Sequence, residues 1–103
     1  MKEIKNTDDY NQAIKNTNVV VDFGAKWCGP CNKLEKPLLE LSKNYPNVHF
    51  FKINVDELSN IDIPLLEPTS IPCLVYIKNN IELGRTNGND IKGIEAAVKK
   101  YFT

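Results

Sequence analysis

The tightest constraint on this chain lies between residues 19 and 45. Five residues after the β-branched run Val19-Val20-Val21-Asp22-Phe23, two thiols stand three positions apart in Trp27-Cys28-Gly29-Pro30-Cys31, and an apolar repeat starts directly behind them. A short β-branched run suits a strand buried on both faces, which makes Asp22 an anomaly inside it. Leu34, Leu38, Leu41 and Tyr45 recur at steps of four, three and four, which predicts an amphipathic helix from about Cys31 to Tyr45. Pro30 falls in the first turn, where a missing N–H is tolerated, whereas Pro37 lies inside the pattern and is expected to kink it. Cys28 is thereby left at the N-terminal end of a helix.

The other segments extend the alternation. "KEIK" at the head reads as a short strand, followed by a helix from Thr7 or Asp8 to about Lys15. Residues 47–56, "NVHFFKINVD", read as a second buried strand. "CLVYIKNN" (73–80) and "IELGRTNG" (81–88) read as a hairpin turning at Asn79-Asn80. Ile91, Ile94, Ala97, Val98 and Tyr101 keep helical spacing behind a cap at Asn89 or Asp90. Between Glu57 and Ser70, Pro64 and Pro68 leave room for at most a turn or two of helix. The order predicts an α/β sandwich of three layers. At 103 residues it is expected to form one domain, residues 1–103.

Thirteen basic residues balance thirteen acidic ones, so no net field draws the chain to nucleic acid or to an anionic membrane surface. The first sixteen residues lack the apolar region of a secretory signal, and the expected location is cytoplasmic. Three cysteines, at 28, 31 and 73, are too few for the disulfide framework of a small secreted domain. In a reducing compartment the close pair is a catalytic dithiol or part of a metal site.

Asp22, Phe23 and Ala25, then Trp27-Cys28-Gly29-Pro30-Cys31, then Lys52, Ile71-Pro72 and Gly88, together resemble the thioredoxin family, and the order of elements agrees over essentially the whole chain. The resemblance implies a thioredoxin fold, with a central mixed β-sheet flanked by helices on both faces. It implies a protein disulfide reductase with Pro72 in the cis form. No cofactor beyond a redox-active Cys28-Cys31 disulfide is expected. The implied partners are disulfide-containing proteins and an NADPH-dependent flavoprotein, thioredoxin reductase, as electron donor; the expected state is a monomer. The chain departs from the family pattern at several positions. Pro37 comes one residue later than the usual proline, Gly24 replaces a larger residue and is expected to loosen packing, Asn87 and Asn89 make the surround of Gly88 polar, and Cys73 stands where threonine is common.

A thiol with a reference pKa near 8.5 is only about 3% thiolate at pH 7, and the thiolate is the nucleophile. The helix behind Cys28 aims unpaired N–H groups and the positive end of its dipole at that sulfur, worth roughly one pKa unit. A drop of about 1.5 units would raise the thiolate some 15-fold, and weaker nucleophilicity would return roughly fivefold of that gain. The main consequence is therefore a better leaving group. Cys28 is expected to attack, with Gly29 and Pro30 tuning the pair, and Cys31 to resolve from a deeper position with a higher pKa. Asp22 is the candidate base for Cys31, since burial raises a carboxyl pKa, and Lys52 on the neighbouring strand is expected to modulate it. Trp27, Gly29, Ile71, Pro72 and Gly88 are the expected docking surface for a substrate segment added as a strand.

Zinc lacks ligands here, because only His49 and Cys73 remain and both lie in apolar strand-like runs. A redox-switched binding module without turnover is the alternative function, since fold alone does not fix function. Cys73 is expected to be an inert core thiol, with a mixed disulfide or dimer bridge under oxidation as the alternative.

Overall fold

The computed structural model describes residues 1–103. Its elements are β1 (Lys2–Glu3), α1 (Thr7–Ala13), β2 (Asn18–Gly24), α2 (Gly29–Lys43), β3 (His49–Asn54), β4 (Cys73–Lys78), β5 (Ile81–Asn87) and α3 (Ile91–Phe102). Two short 3-10 turns, Val55–Asn60 and Pro64–Leu66, occupy the proline-bearing stretch between β3 and β4. The five strands form one sheet in the order β1-β3-β2-β4-β5. β2 runs parallel to β3 and antiparallel to β4, so the sheet is mixed.

β2 is central because its side chains are apolar on both faces. Val19, Val21 and Phe23 face one core with Val75, Ile77 and Ile53, covered by α1 and the 3-10 segments through Tyr10, Ala13, Ile61 and Leu66. Val20 faces the other core with Leu74, Tyr76 and Phe50, covered by Leu34, Leu38 and Leu41 of α2 and by Ile94, Val98 and Phe102 of α3. Strand side chains alternate with a period of two, so Asp22 and Gly24 share the α2 face with Val20. Three layers result, as the alternation of elements predicts.

Local chemistry fixes the element ends. The Asn6 side chain accepts the Asp9 N–H at 2.8 Å and caps α1, and Asp90 accepts the Lys92 N–H at 3.2 Å and caps α3. The β4–β5 hairpin turns at Asn79 and Asn80 with φ of 52° and 63°, the left-handed pair that a two-residue turn requires.

Several boundaries differ from expectation. α2 starts at Gly29, two residues before the expected Cys31, and ends at Lys43, two before the expected Tyr45. Pro37 lies inside a helix that continues through it, and the Lys33 carbonyl lacks the N–H it would have accepted. β3 ends at Asn54 and is only partly buried, because its outer neighbour β1 has just two residues. α1 ends at Ala13, short of Lys15.

Candidate active site

Phe23 and Gly24 end β2, and the chain turns through Ala25, Lys26 and Trp27 so that Cys28 caps α2 in an extended conformation. The turn is pinned by three hydrogen bonds: Cys28 N–H to the Ala25 carbonyl at 3.2 Å, Asn32 N–H to the Cys28 carbonyl at 3.1 Å, and the Asn32 amide to the Lys26 carbonyl at 3.0 Å. Pro30 lies in the first turn of α2, where its lack of a donor leaves nothing unmet. Cys28 and Cys31 are joined as a disulfide with Cα atoms 5.3 Å apart, within the usual span of such a bridge.

The two sulfurs differ in what surrounds them. Cys28 Sγ accepts the backbone N–H of Cys31 at 3.3 Å, so it takes up one of the unpaired donors at the helix start. Depth does not separate the pair, contrary to expectation: Cys28 is 7% exposed and Cys31 8%. Both are packed with Ala25 against Val55 and Ile71. Direction separates them instead. Cys31 lies over Gly24, where a Cβ would sit 3.3 Å from the Cys31 Cβ and 3.5 Å from its Sγ. Gly24 therefore does not loosen the turn; its missing side chain is what lets Cys31 pack onto β2.

Asp22 lies on the same face, two residues before Gly24. Its Oδ1 is out of contact with solvent and has no hydrogen-bond partner. Burial pushes the carboxyl up to about 6; the Lys52 ammonium pulls it down and Glu35 pushes it up again. Asp22 and Lys52 are register partners across β2 and β3. The Lys52 ammonium nevertheless pairs with Glu35 of α2, at 3.6 Å.

Around Cys28, Trp27 is 69% exposed, and its indole N–H donates to the Asp56 carboxylate at 3.1 Å. Core packing is therefore not its role. The Ile71–Pro72 peptide is cis, and the Gly88 N–H donates to the Pro72 carbonyl at 2.8 Å. Gly88 has φ of 91°, a conformation that favours glycine. Above Gly29 an added Cβ would meet nothing within 4 Å, so this surface is open. Asn87 is tied to Ser70 by a side-chain hydrogen bond of 3.1 Å, so the polar rim predicted beside Gly88 is ordered.

Cys28, Cys31, Asp22, Lys52, Gly29, Trp27 and Ile71 thus gather around the start of α2, and Pro72 is tied to Gly88 beside Ile71. Glu35 and Asp56 are the site neighbours that sequence reasoning missed. Glu35 is one helical turn after Cys31, a spacing that could have flagged it; Asp56 carries no local signal. Cys73 is 0% exposed in the core of β4, the placement expected of a core thiol, and burial pushes its thiol up. His49 is exposed at the start of β3. No group of three or more His, Cys, Asp or Glu side chains is placed to hold a metal ion.

A mixed sheet layered by helices, with a dithiol at the start of the helix that follows its central strand, defines a thiol-disulfide oxidoreductase. The thioredoxin family model matches residues 2–100, and the chain belongs to the thioredoxin family. It is 36% identical over 104 residues to thioredoxin H8 of Arabidopsis thaliana, covering 96% of this chain and 70% of that one. The solution structure of oxidised thioredoxin from Plasmodium falciparum matches with a TM-score of 0.89 at 30% identity, covering 100% of this chain and 99% of the other. Oxidised mitochondrial thioredoxin 3 from Saccharomyces cerevisiae matches with a TM-score of 0.87 at 32% identity, covering 97% and 94%.

Proposed function

We propose that the chain, as one domain over residues 1–103, is a protein disulfide reductase in which Cys28 attacks and Cys31 resolves. The observation that carries this reading is the Cys31 N–H donated to Cys28 Sγ at 3.3 Å, since the same donor would stabilise a Cys28 thiolate in the reduced protein. The thiolate attacks one sulfur of a substrate disulfide, forms the Cys28–substrate bond and expels the other sulfur as a thiolate that takes a proton from water. Cys31 then gives its proton to Asp22 and attacks Cys28 Sγ. The mixed disulfide breaks, the second substrate sulfur leaves, and the Cys28–Cys31 bond remains. Two electrons have moved to the substrate, and Asp22 returns its proton to solvent. Gly29 and Pro30 keep the pair at the helix start, and Lys52 acts on Asp22 through its charge.

Trp27, Gly29, Ile71, Pro72 and Gly88 form the surface on which a substrate segment docks. The oxidised pair is reset by an electron donor, an NADPH-dependent flavoprotein reductase of the thioredoxin reductase class. The protein works as a monomer in the cytoplasm, on protein disulfides, with no cofactor beyond its own disulfide. No helix is long and apolar enough to cross a membrane.

The test is a coupled assay with thioredoxin reductase, NADPH and insulin, run on wild type and Cys31→Ser. Wild type is expected to turn over many equivalents of insulin disulfide, while Cys31→Ser holds substrate as a stable adduct on Cys28. Stoichiometric reduction without turnover would instead indicate a redox-switched binding module.

A further inference from the structure

A cavity of about 280 Å3 opens beside the buried side of the dithiol, and Asp22, Cys31, Glu35 and Lys52 all line it. It supplies a way for a proton to travel between Asp22 and solvent, which Asp22 needs because its buried Oδ1 has no protein partner. The arrangement of charge at its mouth is unexpected. Lys52 stands opposite Asp22 in the β2–β3 register and on the same face of the sheet, yet no ion pair joins them. The ammonium reaches to Glu35, which stands one turn beyond Cys31 on the cavity side of α2. Both side chains are accessible, Lys52 at 39% and Glu35 at 62%, so the pair sits at the solvent end and can rearrange.

We propose that Glu35 is a positioning residue for the resolving half of the reaction: its carboxylate holds the Lys52 ammonium at the cavity mouth, withholds it from Asp22, and so keeps Asp22 able to accept the Cys31 proton. An ammonium free to turn inward would favour the Asp22 carboxylate and make it a weaker base. This rests on Asp22 acting as the base, as proposed above. Lys52 and Glu35 are the two charges that act on the Asp22 carboxyl, the first pulling it down and the second pushing it up. Glu3 of β1 and Lys26 of the turn lie on the cavity wall. Tyr76 of β4, on the same face as Asp22, is pushed up by burial, and Cys73 lies on the opposite face.

The experiment is an NMR titration of the Asp22 side-chain carboxyl in the oxidised protein, for wild type, Glu35→Gln, Lys52→Met and the double variant. Glu35→Gln is expected to lower the Asp22 midpoint by about half a unit, and Lys52→Met to raise it. In the Lys52→Met background, Glu35→Gln is expected to move the midpoint by less than half as much. The acid limb of the pH profile for substrate release from Cys28 should move down with the titration in Glu35→Gln, a readout that a purely structural role would leave in place. An unmoved Asp22 midpoint in Glu35→Gln overturns the proposal, and so does an equal shift in both backgrounds, which would mean that Glu35 acts directly and not by holding Lys52. Asp22→Asn separates the two levels. If that variant releases substrate as fast as wild type, Asp22 is not the base, whatever the titration shows.

Discussion

The backbone N–H of Cys31 points at the sulfur of Cys28, 3.3 Å away, so in the proposed cycle the resolving residue would also help to ionise the attacking one. This follows from two positions at the start of α2. Cys28 caps the helix with an extended backbone, and Pro30 contributes no competing donor. The asymmetry between two equally buried sulfurs is thus set by helix geometry and by what lies beneath Cys31.

Replacing Asp22 by Asn should stabilise the protein and slow it. Burial holds the Asp22 carboxyl near 6 in the folded state, against 3.8 for the free group, so the folded protein binds more protons between those values. Stability therefore falls as pH rises from about 4 to 6, and the charged form costs on the order of 3 kcal/mol at pH 7. Asp22→Asn should recover up to that amount in urea unfolding at pH 7 and flatten the pH dependence between pH 4 and 6. Single-turnover release from Cys28 should slow by roughly 100-fold at pH 7, the lower end of the range for a lost general base.

Trp27→Ala should separate binding from folding. The ring is largely exposed and held in place by Asp56, so its loss should change unfolding stability by less than about 1 kcal/mol. Loss of an exposed aromatic anchor should lower kcat/KM for insulin about tenfold, mainly through KM. Asp56→Asn, which keeps the ring and weakens its tether, should have a smaller effect in the same direction.

Gly24→Val should damage the site from below. A Cβ at this position already comes within 3.3 Å of the Cys31 Cβ and 3.5 Å of its Sγ, and two further methyl groups would crowd that thiol more. Overpacking of this kind typically costs about 1 to 3 kcal/mol, measurable by denaturant unfolding. Displacement of Cys31 should also slow intramolecular disulfide closure more than the first attack, so the Cys28 adduct should accumulate.

The sequence carried the framework because its signals are local. The β-branched run of β2, the Asn79-Asn80 turn, the Asp90 cap and the placement of Cys28 at a helix start each depend on a few neighbouring residues. The resemblance added what local reasoning could not, the cis peptide at Pro72 and its closeness to the dithiol. What escaped the sequence lies between elements. Gly24 read as loosened packing because its partner, Cys31, is seven residues away across a turn. The equal burial of the two thiols depends on how the first turn of α2 lies against Val55 and Ile71. Glu35 went unremarked in the sequence, and its ion pair with Lys52 is what places it at the cavity mouth.

The most direct measurement is the rate of alkylation of each thiol in the fully reduced protein as a function of pH, resolved by peptide mass spectrometry. Cys28 is expected to react first and to titrate roughly one unit or more below a free thiol, near 8.5, while Cys31 stays unlabelled until well above it. Equal labelling of both thiols across the pH range, or faster labelling of Cys31, would contradict the assignment of Cys28 as the nucleophile.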